Sequence, residues 1–351
     1  EEAANLNCLK TNLAAERGAV GIITIHTPKQ EKVRPYATSL LYLNAPSMEW
    51  LHADGTPADS YPNMKAGAYV HYDAAGALFA KADQSLAQIF AATEQQQSPK
   101  GFDLGVSATL KRRSTHEAID SPNVLAVLPG SDPALKEEYV VITAHSDHIG
   151  LSNDLRSDDK INNGAMDNAS GVAILLETAR MFAAMPVAPK RSILFAVVTG
   201  EEKGLLGADY FANNPTVAID KMVANVNLDM PVLLYPFADM IAFGANHSSL
   251  GKVVEQAAAK EGIALSADPM PEQAIFTRSD HYTLVKKGVP AVFLMTGFTS
   301  KDPAQKGGDI WGKFFAKHYH KPTDDVAGLT KDFGPIRYDS GALFADINMA
   351  I

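Results

Sequence analysis

The sequence predicts an α/β fold in which a doubly wound, mostly parallel sheet carries helices on both faces. Three short apolar runs, at 139–144, 192–198 and 223–228, have the β-branched composition of strands that are buried on both sides. Between the first two runs, residues 172–182 place apolar side chains at helical spacing. The alternation continues with strands at 240–243 and 290–295 and a helix at 249–261. Strands that alternate with helices in this way are typical of a parallel sheet covered on both faces.

Length and composition describe an ordinary globular chain. It has 351 residues, of which 46% are hydrophobic and 20% are charged, and a chain of this length holds about two domains. The net charge of -9 and the lack of a long basic run argue against a nucleic-acid partner. No apolar run approaches the roughly 20 residues of a membrane span. Cys8 is the only cysteine, so an intrachain disulfide and a thiolate metal cluster are both excluded.

A polar stretch at 95–101, which contains Pro and Gly, indicates a linker between two domains. We therefore predict a smaller domain over residues 1–103 and a larger one over 104–351, whose first strands are at 106–111 and 123–128. The histidines of the smaller domain are isolated from one another, so no catalytic role is assigned to it. The chain starts without a Met and ends in a helical pattern, and we expect the smaller domain to be incomplete at its start and the larger at its end.

Polar side chains follow the predicted strands at the points where these strands end. Because the carboxyl ends of parallel strands meet at one edge of a sheet, where open α/β sheets bind their ligands, these residues are expected to lie together. A His/Asp-rich loop at 318–325 supplies a further histidine. In chain order the candidates are His145, Asp147, Asp167, Glu201, Glu202, Asp229 and His320.

On the scale of hard and soft metal ligands, carboxylates are hard and imidazoles are borderline, and this set contains no soft thiolate. Such a set suits two zinc ions or similar divalent metals. The sequence therefore predicts a metal centre at the carboxyl edge of the sheet.

The strings HSDH, AMDNASG, TGEEKGLLG, NLDM and YHKPTDD, in this order, resemble the motifs of the zinc exopeptidases of family M28. The resemblance runs from about residue 123 to 325. It implies a metallopeptidase, a hydrolase that carries two zinc ions per chain and acts on peptides. The smaller domain is similar to the protease-associated domain that many of these enzymes carry. The resemblance also implies a periplasmic or secreted location, although no signal peptide is visible, and it leaves the oligomeric state open.

The family pattern implies a role for each candidate. Asp167 bridges the two metals, His145 and Asp229 complete one site, and Glu202 and His320 complete the other. Two adjacent cations repel, and the three ligand carboxylates with one bridging hydroxide balance their charge. Adjacent carboxylates at a turn suit two different tasks, so Glu201 is assigned as the general base that takes the proton of the attacking water.

Other residues are expected to support the metal ligands or the substrate. Asp147 is placed to hold the second ring nitrogen of His145, and Asp324 or Asp325 to do the same for His320. The string Arg278-Ser-Asp280-His281 resembles a family signature whose residues give outer support or contact substrate. The motif register leaves out two histidines that neighbour proposed ligands, His148 and His318, which are expected at the surface or in an outer supporting role.

Alternative functions remain open on the same residues. A glutaminyl-cyclase-like acyltransferase on a similar fold needs a single zinc, and a receptor-like ectodomain needs none. Within the exopeptidases, the long connection between His145 and Asp167 resembles the aminopeptidase branch, and an acidic cleft favours the cationic amino group of a peptide. A glutamate-carboxypeptidase-like enzyme needs a basic side chain for the free carboxylate, and Arg278 is the candidate for it. The expected activity is therefore removal of N-terminal residues.

Overall fold

The structure, a computed structural model, describes residues 10–40, 45–59, 61–152 and 158–351. Cys8 lies outside the described residues. The chain divides into two compact units. Of the described residues, 10–40, 45, 59 and 61–119 form the N-terminal unit, and 46–58, 120–152 and 158–351 form the sheet unit.

The N-terminal unit contains a two-stranded parallel sheet and short helices. Its elements are α1 (Lys10–Glu16), β1 (Gly21–His26), α2 (Pro28–Val33), α3 (Tyr36–Leu40), β2 (Ala66–His71), α4 (Tyr72–Ala75), a 3-10 helix (Gly76–Phe79) and α5 (Leu86–Glu94). Helix α2 begins at a capping box, in which Thr27 and Gln30 satisfy each other's backbone N–H groups. Ser85 and Gln88 cap α5 in the same way. The likeness of this unit to a protease-associated domain stays a prediction.

The compact units differ from the predicted division after residue 103 in two places. Residues 104–119 cluster with the N-terminal unit, and residues 46–58 cluster with the sheet unit. The second difference has a clear physical origin, because the indole of Trp50 donates a hydrogen bond to Asp209 (2.9 Å) and packs edge-on against Tyr210. The strand predicted at 106–111 is wrong. Residues 97–123 contain neither helix nor strand, and two of their apolar side chains, Val106 and Leu110, are each 41% exposed.

The sheet unit is built on seven strands, and a further short pair stands apart from them. In chain order the strands are β3 (Val124–Leu128), β4 (Tyr139–His145), the short pair β5 (Gly150–Leu151) and β6 (Ile161–Asn162), β7 (Ser192–Val198), β8 (Met222–Leu228), β9 (Asp239–Phe243), β10 (Ala264–Ser266) and β11 (Ala291–Thr296). The spatial order of the main sheet is β10-β9-β11-β8-β4-β7-β3. Four neighbouring pairs are parallel, and the pairs β3/β7 and β9/β11 are antiparallel. The predicted mostly parallel α/β sheet is confirmed, and the two antiparallel pairs make it a mixed sheet.

Helices cover both faces of this sheet. They are α6 (Ser170–Ala183), α7 (Leu206–Asn213), α8 (Leu250–Lys260), α9 (His281–Val285), α10 (Gly307–Lys317), α11 (Val326–Phe333) and α12 (Tyr338–Ala350), with short 3-10 or π turns at Ala165–Ala169, Glu201–Lys203, Ile219–Lys221, Pro271–Gln273 and Ile275–Thr277. Among the described residues, no helix combines the length and the apolar character that crossing a bilayer requires.

Alternate residues of the central strands enter two separate cores. Ile142 of β4 and Phe195 of β7 pack with α6 and α12, whereas Val141 and Leu194, one residue earlier on each strand, pack with α7 and α9. Because both faces are buried, these strands are apolar along their whole length, as the sequence predicted. Strands β8, β4 and β7 are neighbours, so their carboxyl ends lie side by side and bring their following loops together.

Candidate metal centre

Asp167 lies at the middle of the polar cluster at this edge of the sheet, in the turn that leads into α6. Its side chain is buried, and its two oxygens face different histidines. Oδ1 lies 3.4 Å from Nε2 of His145, and Oδ2 lies 3.2 Å from Nε2 of His320. The carboxylate therefore stands between two groups of side chains, as a residue that bridges two metal ions must.

The first group joins the ends of β4 and β8 through Asp167. Nε2 of His145, at the end of β4, lies 3.3 Å from Oδ1 of Asp229, which follows β8. All three side chains are buried, and one ligand atom from each lies within 4.8 Å of the others. The sequence placed these three residues at one metal, and the structure brings them together.

The second group is formed by Glu202 and His320 with the other oxygen of Asp167. Nε2 of His320 lies 3.2 Å from Oε2 of Glu202. Nδ1 of His148 lies 2.8 Å from Oε1 of the same carboxylate and 3.9 Å from Oδ2 of Asp167. The structure thus brings together all five predicted ligands and adds a histidine that the motif register had left out.

The spacing of these atoms suits zinc. Ligands at 2.0–2.1 Å from a tetrahedral zinc ion stand about 3.3 Å from one another. The His145–Asp167 and His145–Asp229 distances are 3.4 and 3.3 Å, and both distances from His320 are 3.2 Å. Two imidazoles and three carboxylates without a thiolate are also a donor set that zinc accepts. The residues present therefore fit two divalent metal ions.

The electrostatics of the cluster favour bound positive charge. Burial lowers the pKa of His320, but the carboxylates of Asp167 and Glu202 outweigh burial and raise it to about 11. Burial likewise opposes ionisation of Asp167, yet hydrogen bonds to His145 and His320 hold the pKa of its carboxyl far below the usual range. Both effects show that the buried carboxylates attract cations strongly.

Asn168 fixes the distance between Asp167 and Asp229. Its Nδ2 donates to the carbonyl of Leu228 (2.9 Å), and its Oδ1 accepts from the backbone N–H of Gly171 (3.1 Å) and of Met230 (3.2 Å). The side chain thus ties the first turn of α6 to the end of β8. Gly171 permits this approach, because an added Cβ would lie 2.5 Å from the oxygen of Leu228 and would overlap the side chain of Asn168.

Asp324 holds the backbone of the turn that carries Asp167. Its carboxylate accepts the backbone N–H groups of Met166 (3.0 and 3.2 Å) and Asp167 (3.1 Å). Asp325 accepts from the backbone N–H of Gly328 and caps α11. The sequence predicted that one of these two carboxylates supports His320. In the structure, Asp324 instead holds the backbone of Asp167, and Asp325 caps a helix.

Asp147 organises the turn that carries the two glutamates. Its carboxylate accepts the backbone N–H groups of Glu201 (3.0 Å) and Glu202 (3.2 Å). Nδ1 of His145 lies 3.1 Å from the backbone carbonyl of Asp147 and 3.7 Å from its carboxylate. Asp147 therefore contacts the second ring nitrogen of His145 as predicted, but mainly through its carbonyl oxygen, while its carboxylate fixes Glu201 and Glu202.

Glu201 lies beside the first group, in a 3-10 turn after β7. Burial raises the pKa of its carboxyl well above the usual range, and the nearby carboxylates of Asp229, Asp280 and Glu202 raise it further, against an opposing effect of His145. A carboxyl whose pKa is raised in this way is suited to accept and return protons near neutral pH.

A chain of buried hydrogen bonds beneath the site was not predicted from the sequence. Ser279 donates to Oδ2 of Asp229 (2.7 Å) and accepts from Asn227 (2.7 Å), whose Oδ1 accepts from Thr143 (2.6 Å). The sequence does contain an indication of this hydrogen-bond chain. Two asparagines, Asn225 and Asn227, occupy alternate positions of the otherwise apolar strand β8. Polar side chains that a buried strand repeats on one face require partners inside the protein.

The sequence pattern of peptidase family M28 matches residues 123–333, which is more than half of the chain. The chain belongs to peptidase family M28. A probable zinc metalloprotease of Pyrenophora teres f. teres is 38% identical over 113 residues, which cover 32% of this chain and 23% of that protein. Leucine aminopeptidase 2 of Trichophyton rubrum is 27% identical over 241 residues, which cover 64% of this chain and 44% of that protein. The chain thus spans less than half the length of each of these relatives.

A solved structure of a zinc aminopeptidase from Bacillus subtilis is similar as well. It is 21% identical, with a TM-score of 0.46, and the match covers 65% of this chain and 48% of that one.

The remaining predicted residues of this M28 chain lie around the same site. Arg278 donates to the hydroxyl of Tyr319 (3.4 Å), and the ring of Tyr319 stacks on His320 with centroids 3.8 Å apart. Asp280 is fully buried, and burial raises its pKa to about 8, with smaller contributions from neighbouring carboxylates. His281 lies against the rings of Phe276 and Phe293 (5.0 and 5.3 Å).

His148 and His318, the two histidines that the motif comparison left out as ligands, have different environments. The ring of His318 is buried and uses both nitrogens within the fold, since Nδ1 lies 2.8 Å from the carbonyl of Thr323 and Nε2 lies 3.1 Å from Asp332. Its exclusion as a ligand is consistent with these contacts. His148 is not at the surface, because only 7% of its side chain is exposed and it faces Glu202.

Proposed function

We propose that this M28 chain is a two-zinc exopeptidase that removes the N-terminal residue of peptides. The observation that carries the proposal is the division of the Asp167 carboxylate between two groups of ligand atoms, with a buried glutamate, Glu201, beside them. One ion would be held by His145, Asp167 and Asp229, and the other by Asp167, Glu202 and His320.

The protein residues supply positioning and proton transfer. Bound zinc ions would polarise the scissile carbonyl and make a water molecule acidic enough to attack it near neutral pH. Glu201 takes the proton of the attacking water and returns it to the leaving amine. The carboxylate of Asp147 holds the backbone of Glu201 and of Glu202, so the base and the neighbouring ligand keep a fixed mutual position.

The charge of the site supports recognition of the N-terminus of a peptide. The side chains around the two ligand groups are mostly acidic, and Asp229 and Asp280 lie close enough to Glu201 to raise the pKa of its carboxyl. An acidic site favours the ammonium group at the start of a peptide over a free carboxylate. The similarity to leucine aminopeptidase 2 of Trichophyton rubrum is consistent with this direction of cleavage.

One observation favours the alternative of a carboxypeptidase. The guanidinium of Arg278 lies 3.4 Å from the hydroxyl of Tyr319, whose ring stacks on His320. A basic group so near a proposed ligand is able to hold the carboxylate at the end of a peptide.

The periplasmic or secreted location stays a prediction.

Peptides with blocked ends separate the two directions of cleavage. We expect a peptide with free ends and its C-amidated form to be cleaved, and the N-acetylated form to resist. Cleavage that survives acetylation and is abolished by amidation would contradict the aminopeptidase assignment. Metal analysis of the same preparation is expected to find two zinc ions per chain. One zinc per chain, together with cyclisation of N-terminal glutamine, would support the glutaminyl-cyclase-like alternative instead.

A further inference from the structure

His148 follows the end of β4 by three residues and points into the second ligand group. Its imidazole is more than nine-tenths buried, with 7% of the side chain exposed. Nδ1 lies 2.8 Å from Oε1 of Glu202 and 3.9 Å from Oδ2 of Asp167, and its ring centroid is 5.7 Å from that of His320. The four side chains of this group therefore converge on one small volume.

The contact between His148 and Glu202 does not have the direction of a hydrogen bond. Neither ring nitrogen of His148, nor Oε1 of Glu202, has a hydrogen-bond partner within the described part of the chain, although the two groups are only 2.8 Å apart. Buried polar atoms of this kind are rare, because a buried polar atom without a hydrogen-bond partner destabilises the folded state. A cation between them would satisfy both atoms at once.

We propose that His148 is a fourth protein ligand of the second metal ion, together with Asp167, Glu202 and His320. This inference rests on the proposed function, because it assumes that the site binds two metal ions. The ligand atom is Nδ1. Its distances of 2.8 and 3.9 Å to the two carboxylates bracket the spacing of about 3.3 Å between the ligands of a tetrahedral zinc ion.

The two metal sites then differ in a way that affects their chemistry. Four protein ligands close a tetrahedral zinc site, whereas three leave a position for water or substrate. The second ion would then have four protein ligands, and a hydroxide shared with the first ion would make it five-coordinate. The first ion, with His145, Asp167 and Asp229, would reach four-coordination with the same hydroxide.

The chain makes room for this imidazole at Gly164. This residue has a φ of +70°, and an added Cβ would lie 2.9 Å from Cγ of His148. A side chain at this position would overlap both the ring of His148 and the backbone oxygen of Asp167, which would lie 2.4 Å from the added Cβ. Gly164 also precedes the turn that carries Asp167, so one glycine serves the placement of two proposed ligands.

Metal affinity and the zinc environment test the inference without reference to activity. Zinc binding would be measured by chelator competition for the wild type, for His148→Ala and for His148→Gln. His247→Ala, which removes an exposed imidazole of the same unit, serves as the control. We expect two zinc ions on the wild type and on the control. In both His148 variants the affinity of one zinc ion is expected to fall on the order of 100-fold or more, beyond the 10- to 100-fold typical of outer support.

A crystal structure of the zinc-loaded wild type gives a direct answer that does not depend on whether a variant folds. The expected distance from zinc to Nδ1 of His148 is about 2.0 to 2.1 Å. Two bound zinc ions with the imidazole outside bonding distance would overturn the inference and leave the proposed function standing, and so would unchanged affinity in folded His148→Ala. A wild type that binds no zinc would overturn both.

Discussion

Substitution of Asn168 by Ala tests how the fold sets the distance between the bridging aspartate and Asp229. The wild-type side chain makes three buried hydrogen bonds, one to the carbonyl of Leu228 and two from the N–H groups of Gly171 and Met230. Alanine leaves all three backbone groups without this partner in the interior. We therefore expect both a loss of stability and a loss of metal affinity.

The size of the stability loss can be worked out from these contacts. Each buried backbone group left unsatisfied costs about 1 to 3 kcal/mol, and neighbouring effects do not add fully, so the total is about 3 to 5 kcal/mol. In a domain of about 200 residues, 1 kcal/mol corresponds to a Tm change of roughly 2 to 4 °C. The sheet unit is therefore expected to melt roughly 6 to 20 °C lower in the variant.

Thermal unfolding of the purified protein, followed by circular dichroism, measures this effect, and zinc content is determined on the same samples. Asn163→Ala is the matched control. It removes the same type of side chain five residues earlier, where Nδ2 donates to the carbonyls of Ile161 and Pro322 at the exposed surface. We expect the control to change the Tm little and to keep its zinc. Equal melting temperatures for the two variants would show that Asn168 does not connect α6 to β8 in the way described.

Three further predictions concern the roles of single residues. Glu201→Gln is expected to keep both metals and to lose about 10²- to 10⁴-fold in kcat, because it removes proton transfer without removing a ligand; near-normal kcat or loss of zinc would contradict this division of labour. Asp167→Ala is expected to lose more zinc than Asp147→Ala, since only the former contacts both ligand groups, and equal losses would count against the bridge. Burial lowers the pKa of His281 to about 3, so the folded state binds no proton there when an unfolded His does, and stability is lost as pH falls below about 6.5, by about 1.4 kcal/mol per unit. Between pH 7 and pH 5.5, urea titrations are expected to show a loss of about 1.3 kcal/mol in the wild type, because the full slope is reached only well below pH 6.5, and a smaller loss in His281→Phe. An equal loss in the two proteins would show that other groups cause it.

The sequence was most informative where a single physical rule controls the outcome. Strands β4, β7 and β8 were predicted nearly to the residue, because a strand buried on both faces is mostly apolar and shows no alternation. Their order in the sheet places three carboxyl ends side by side, and the polar residues after them therefore had to meet. The strand expected at 106–111 is absent, because the residues of one short segment give no information on whether a partner strand is present.

The sequence was least informative about the direction in which side chains point. The sequence predicted Asp147 near His145, and Asp324 or Asp325 near His320, but it did not show that the carboxylates of Asp147 and Asp324 hold backbone N–H groups. Asp147 fixes the turn of Glu201 and Glu202, and Asp324 fixes the backbone of Asp167. Such contacts depend on how loops from distant parts of the chain approach each other, and no local pattern encodes that approach.

His148 and His318 differ in a way that only the fold reveals. In the sequence both histidines neighbour a proposed ligand, and both were left out for the same reason. In the fold their environments differ, because the ring of His318 is engaged by Thr323 and Asp332, whereas His148 faces two carboxylates without a hydrogen bond. Burial of an imidazole without a partner is costly. That cost, together with the two carboxylate oxygens 2.8 and 3.9 Å from Nδ1 of His148, separates a candidate ligand from a packed core histidine. Both observations require the neighbours of each ring nitrogen, which only the fold supplies.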